Sequence, residues 1–68
     1  MKRGTSGAAV RQLQENLIKL GYNCGPDGAD GDYGRNTEAA VKKFQEDNHL
    51  TADGEAGPIT QAAIRQKI

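Results

Sequence analysis

The sequence predicts an all-α fold, a compact three-helix bundle with an internal duplication and one long Gly/Asp-rich loop between helices 1 and 2. Three observations carry this expectation. Apolar residues recur at helical spacing in three separate stretches, no run shows the strict alternation of a half-buried strand, and a glycine- and aspartate-rich segment separates the first two periodic stretches. At 68 residues the chain makes one domain, residues 1–68. A chain of this size buries roughly 60% of its unfolded surface. The core is therefore small, and a deep, water-excluding cleft has little room.

In the first helix Val10, Leu13, Leu17 and Leu20 mark one face. Gly21 follows as a natural C′ residue, and Thr5 or Ser6 is expected to cap the start. The second helix runs from about Arg35 to Asn48, with Thr37, Ala40, Val41 and Phe44 inward and Glu38, Lys42, Lys43 and Glu46 toward water. The third begins at Gly57-Pro58, because proline at the first helical position loses no hydrogen bond, and Thr60, Ala63, Ile64 and Ile68 carry its stripe to the C-terminus. The expected core adds Ile18, Tyr22, Tyr33, Leu50 and Ile59 to these apolar positions. Residues 21–34 hold five glycines and a proline in fourteen positions and read as consecutive turns.

An internal repeat organises these elements. Asp30-Gly31-x-x-Gly34-x-x-Thr37-x-Ala39-Ala40-Val41 recurs as Asp53-Gly54-x-x-Gly57-x-x-Thr60-x-Ala62-Ala63-Ile64, shifted by 23 residues. Val10-x-x-Leu13-Gln14-Glu15 recurs as Val41-x-x-Phe44-Gln45-Glu46, shifted by 31, so the first loop is eight residues longer than the second. The alignment puts Arg35 where Pro58 stands, making Arg35 a first-turn residue with Gly34 near the cap. Asp-Gly suits a tight turn, and a first-turn threonine hydroxyl satisfies an otherwise orphaned backbone group. All these roles are structural.

Composition narrows the function. Nine basic and nine acidic residues balance to zero and are interspersed, unlike the basic clusters that drive phosphate binding, so no nucleic-acid partner is expected. Apolar runs are too short to span a membrane. Met1-Lys2-Arg3-Gly4 has no apolar stretch behind its charges and does not read as a signal peptide, so work outside a cell would need another segment or route for export. The single cysteine, Cys24, makes no internal disulfide. Cys24 with His49 falls short of a zinc ligand set, and neither has the third orienting group that nucleophilic catalysis requires. Asp27, Asp30 and Asp32 lack the spacing and distal glutamate of a calcium loop and read as turn residues. No catalytic residue, metal or cofactor is expected.

These residues resemble the peptidoglycan-binding domain 1 family. The match runs through Gly7-x-x-Val10-Arg11-x-Leu13-Gln14-x-x-Leu17 and Leu20-Gly21-Tyr22 into Asp30-Gly31-x-Tyr33-Gly34-x-x-Thr37-x-Ala39-Ala40-Val41-x-x-Phe44-Gln45. It ends with Leu50-x-x-Asp53-Gly54-x-x-Gly57-Pro58-x-Thr60, so it covers about residues 4 to 65. The resemblance implies a non-catalytic three-helix module, found in cell-wall hydrolases and endolysins, that works as a monomer at the bacterial wall. It implies peptidoglycan as the ligand and a fused or associated lytic domain as the partner. Because some members are joined to metalloproteases, a protein-interaction or prodomain-like module of the same fold is the alternative. The long first loop and its Cys24 depart from the family pattern.

The expected ligand-binding residues lie where the repeat makes no demand: Tyr22, Asn23, Asp32, Tyr33, Arg35 and Asn36. Tyr22 and Tyr33 are suited either to stacking on a sugar or to plugging the end of the core. The start of helix 2 offers free N–H groups and a positive dipole end to a carboxylate, with Arg35 able to add a bidentate contact. Asn36 aligns with Ile59, so its polarity is not required by the repeat, which points to the first loop as the binding side. The plain alternative is that these are solvated loop residues.

Overall fold

The computed structural model describes residues 1–68 as three helices, α1 (Ala8–Lys19), α2 (Arg35–Asp47) and α3 (Pro58–Lys67). α1 packs against both others and is the centre of the bundle. Val10, Leu13, Leu17, Cys24, Tyr33, Ala40, Val41, Phe44, Ala56 and Ile64 form the buried core, with Leu20, Tyr22, Leu50 and Ala63 packed around it. The only sheet-like pairing is an isolated bridge between Ser6 and Asp32.

That pairing explains why α1 is not capped as expected. Neither Thr5 nor Ser6 caps it; the cap position is Gly7, at φ 120°, with no side-chain hydrogen bond. The chain ahead of α1 is engaged instead with the two turns. Gly4 N donates to Tyr33 O (3.0 Å), Tyr33 N to Thr5 O (2.9 Å) and Gly7 N to Gly31 O (2.9 Å). At the other end of this segment the Met1 ammonium donates to Ala56 O at 2.9 Å and Ala56 N donates to Met1 O at 2.7 Å. Residues 1–7 thus tie the first turn to the second.

α1 and α2 stop in the same way. Tyr22 N donates to Leu17 O and Leu50 N to Gln45 O, both at 2.8 Å, a closure that needs a left-handed residue just past the helix. In α1 that residue is Gly21 (φ 96°); in α2 it is His49 (φ 59°), the one non-glycine at positive φ. α2 begins at Arg35 behind Gly34, and α3 at Pro58 behind Gly57.

Three isoleucines expected inside are not. Ile18, Ile59 and Ile68 are 44%, 74% and 50% exposed. Ile59 holds the second position of α3, where its counterpart Asn36 also faces water. Ile18 lies on the outer side of α1 beneath Gly28, and Ile68 follows the last turn of α3.

Candidate functional site

Two glutamines build the frame on which the surface is arranged. Gln14 is completely buried, and its Nε2 donates to Thr37 Oγ1 (2.8 Å), Asp32 O (2.9 Å) and Asp30 Oδ1 (3.2 Å), while Oε1 accepts from Gly31 N (2.8 Å). Gln45 repeats the pattern with Thr60 Oγ1 (3.0 Å), Glu55 O (2.9 Å), Asp53 Oδ1 (3.0 Å) and Gly54 N (3.0 Å). Each side chain replaces the partners that a buried turn would otherwise leave unpaired, at roughly 1–3 kcal/mol per orphaned group. The first-turn threonines therefore accept from a distant glutamine and do not close their own helix.

Asp30 and Asp53 complete the two turns by accepting the N–H two residues on, Asp32 N and Glu55 N, both at 2.9 Å. That backbone bond first, and the glutamine amide second, hold both carboxyls below the usual aspartate range. Both aspartates stay ionised as turn anchors.

Tyr33 is a correction. It is 3% exposed, and its hydroxyl donates to Gly54 O at 2.5 Å. Burial, then the nearby Glu38 charge, push the phenol well up, so it stays neutral. With its ring inside and its hydroxyl engaged, Tyr33 joins the first turn to the second and plugs the end of the core, presenting no open face for stacking.

The other five expected residues fall on two concavities. Asp32, Arg35 and Asn36 line a small notch of about 120 Å³ at the start of α2, walled by Cys24, Asp27 and Asp30. None of the three side chains has a hydrogen-bond or ion-pair partner; Asp32 engages only through its backbone. The α2 start has no side-chain cap either. Tyr22 and Asn23 lie on a wider groove of about 500 Å³ across α2, together with Leu20, Ala39, Lys43 and Asp47. Tyr22 is half-buried; its ring meets Phe44 edge-on (5.7 Å, 78°) and its hydroxyl donates to Asp47 Oδ2 at 2.7 Å. That bond raises the phenol pKa. Between notch and groove the loop crosses α2 where Gly25 lies flat against Asn36, a contact that leaves no room for a Cβ.

Cys24 has a packing duty. It is buried in the core and its thiol lies 3.9 Å from Gln14 O. Burial, then the Asp30 charge, push its pKa up, leaving it an unreactive plug under the extra loop.

The family model for the peptidoglycan binding domain matches residues 6–64. The chain belongs to this family. It is 41% identical over 64 residues to the N-acetylmuramoyl-L-alanine amidase CwlL of Bacillus licheniformis, covering 94% of this domain and 18% of that protein. The crystal structure of the SleB N-terminal domain superimposes with a TM-score of 0.92 at 36% identity, over 98% of this domain and 89% of that chain. A peptidoglycan-binding protein from Clostridioides difficile, solved with glutamine hydroxamate, superimposes with a TM-score of 0.88 at 39% identity, over 94% of this domain and 39% of that chain. The domain thus spans less than a fifth of the amidase.

Sequence reasoning missed the central role of Gln14 and Gln45, and it did not bring together Lys43, read as part of a solvated face, and Asp47, which both line the groove. The signal for the glutamines was present: each sits at the i+4 position of an otherwise apolar stripe, and at the same place in both copies.

Proposed function

We propose that this peptidoglycan-binding module holds the polypeptide to which it belongs on the bacterial wall, so that an attached lytic activity works at raised local concentration. The module itself is non-catalytic and monomeric in this reading, and it acts at the wall, outside the cytoplasm. Contact is made on the flank formed by the first loop and α2, through Tyr22, Asn23, Asp32, Arg35 and Asn36. The observation that carries the proposal is that three polar side chains without an internal partner, those of Asp32, Arg35 and Asn36, gather on that flank. Arg35 and Asn36 are exposed beside the uncapped start of α2, where a carboxylate of a stem peptide meets both a guanidinium and free N–H groups.

Retention on purified sacculi tests the reading. The chain is expected to sediment with sacculi at low and moderate salt, and Arg35→Glu is expected to weaken retention severalfold by reversing the charge at the notch. A chain that stays in the supernatant at both salt levels refutes wall binding. Retention unaffected by Arg35→Glu removes the notch from the binding flank.

A further inference from the structure

The groove across α2 contains more than the loop residues that led to it, and its chemistry is specific. Tyr22 is immobilised from two sides, by Phe44 at the ring edge and by Asp47 at the hydroxyl. A fixed aromatic face loses little entropy when a flat apolar partner stacks on it. Asp47 uses only Oδ2 for that bond, leaving Oδ1 to accept from a ligand hydroxyl. Asn23 Oδ1 accepts from Gly25 N at 2.8 Å, which turns the amide so that its NH₂ remains as a donor. Lys43 is exposed and has no ion-pair partner, since the only pairs in the molecule are Arg3–Glu38 and Arg11–Glu15. Ala39 is exposed on the same stretch of α2, its short side chain leaving the groove open.

None of this is required by the duplicated frame. Lys43 and Asp47 align with Gln12 and Asn16 of α1, so the copies share neither the cation nor the carboxylate. A volume of about 500 Å³ lies within the range of small-ligand sites.

We infer that the Tyr22–Lys43–Asp47 groove is the glycan subsite, taking an N-acylated amino sugar on the Tyr22 face with a carboxylate of its attached peptide at Lys43. Sugar hydroxyls donate to Asp47 Oδ1, and Asn23 Nδ2 donates to the acyl carbonyl. This deepens the wall-binding reading and rests on it. The notch at Arg35 lies farther along α2, in position for the continuing stem peptide.

The test is an NMR titration of the ¹⁵N-labelled chain with three probes: a disaccharide–tripeptide fragment of peptidoglycan, an uncharged chito-oligosaccharide and the free tripeptide. The fragment is expected to move the amides of Tyr22, Asn23 and Lys43. Lys43→Gln, a change at an exposed and unpaired side chain, is expected to weaken the fragment about tenfold, the size of one charge-assisted contact, and to leave the chito-oligosaccharide unchanged. The inference is overturned if shifts gather at Asp32–Asn36 or at His49–Ile59 while Tyr22, Asn23 and Lys43 stay still, if Lys43→Gln leaves the fragment's affinity intact, if the free tripeptide binds as tightly as the fragment, or if no probe moves any amide. Sacculus retention separates the two levels. A chain retained on sacculi with an inert Tyr22 groove loses the subsite and keeps the function, whereas a chain not retained at all loses both.

Discussion

The two turns of this domain carry the same hydrogen-bond set and have opposite surfaces. In the first, residues 22–29 roof the glutamine network: Cys24 is buried against Gln14 and Gly25 lies on Asn36, leaving a notch of about 120 Å³. In the second the loop is eight residues shorter, and the network around Gln45 opens into a groove of about 490 Å³ flanked by His49, Leu50 and the exposed Ile59. Sequence identity between copies therefore marks what the backbone needs, while differences between them mark what each surface is free to do. The roof also presents Tyr22 and Asn23 to the groove across α2.

The sharpest way to break this comparison is to remove each glutamine. Gln14→Ala is expected to cost about 3 kcal/mol, because it leaves Gly31 N and Thr37 unpaired in a turn that residues 22–29 narrow to a small notch. Gln45→Ala is expected to cost about 2 kcal/mol, since water reaches the open groove. Urea unfolding of the two variants decides it, and equal losses would mean that the roof does not shield the first network. A change confined to the first copy comes next. Cys24→Ser places a hydroxyl in a core position and should cost about 1.5 kcal/mol, while in the parent chain the thiol should react with a disulfide reagent far more slowly than after unfolding.

The helix ends offer a paired test of opposite sign. Gly21→Ala forces a Cβ into the left-handed region at the end of α1 and should destabilise by about 1 kcal/mol. His49→Gly relieves the same strain at the end of α2 and should stabilise by somewhat less, about 0.5 kcal/mol, read from thermal midpoints. Matching losses would show that His49 makes compensating contacts. The smallest effect is electrostatic. Asp30 and Asp53 have depressed pKa values in the folded state, so their contribution is present above the ordinary carboxylate pKa and fades as pH falls through the lower folded values. Asp30→Asn or Asp53→Asn alone should flatten the acid limb of the melting profile, and the double change should flatten it further.

Much of the fold was legible. Gly34-Arg35 and Gly57-Pro58 marked two helix starts because glycine and proline restrict the backbone locally, and Gly21 marked a helix end for the same reason. The start of α1 was misread because Thr5 and Ser6 are engaged by a turn some 27 residues away, a distance at which local rules carry no information. Within the expected site, Tyr33 and Tyr22 looked alike in the sequence. What separates them is the carbonyl of Gly54 and the carboxylate of Asp47, partners that only the fold brings into reach. Lys43 could not be told from Lys42 until the loop was seen to cross α2.

The segment ahead of α1 has a consequence in time. Its pairing with Ala56 spans 55 residues. A ribosome releasing this sequence from its N-terminus exposes residues 1–7 long before their far partner exists. The first turn can close on Gly4 and Thr5 once Tyr33 emerges, but the seam at Ala56 must wait for 23 further residues. Folding is therefore expected to proceed as a first unit that forms early and a ring that shuts late, with the Ala56 amide, which donates to Met1 O, the last to gain protection from hydrogen exchange.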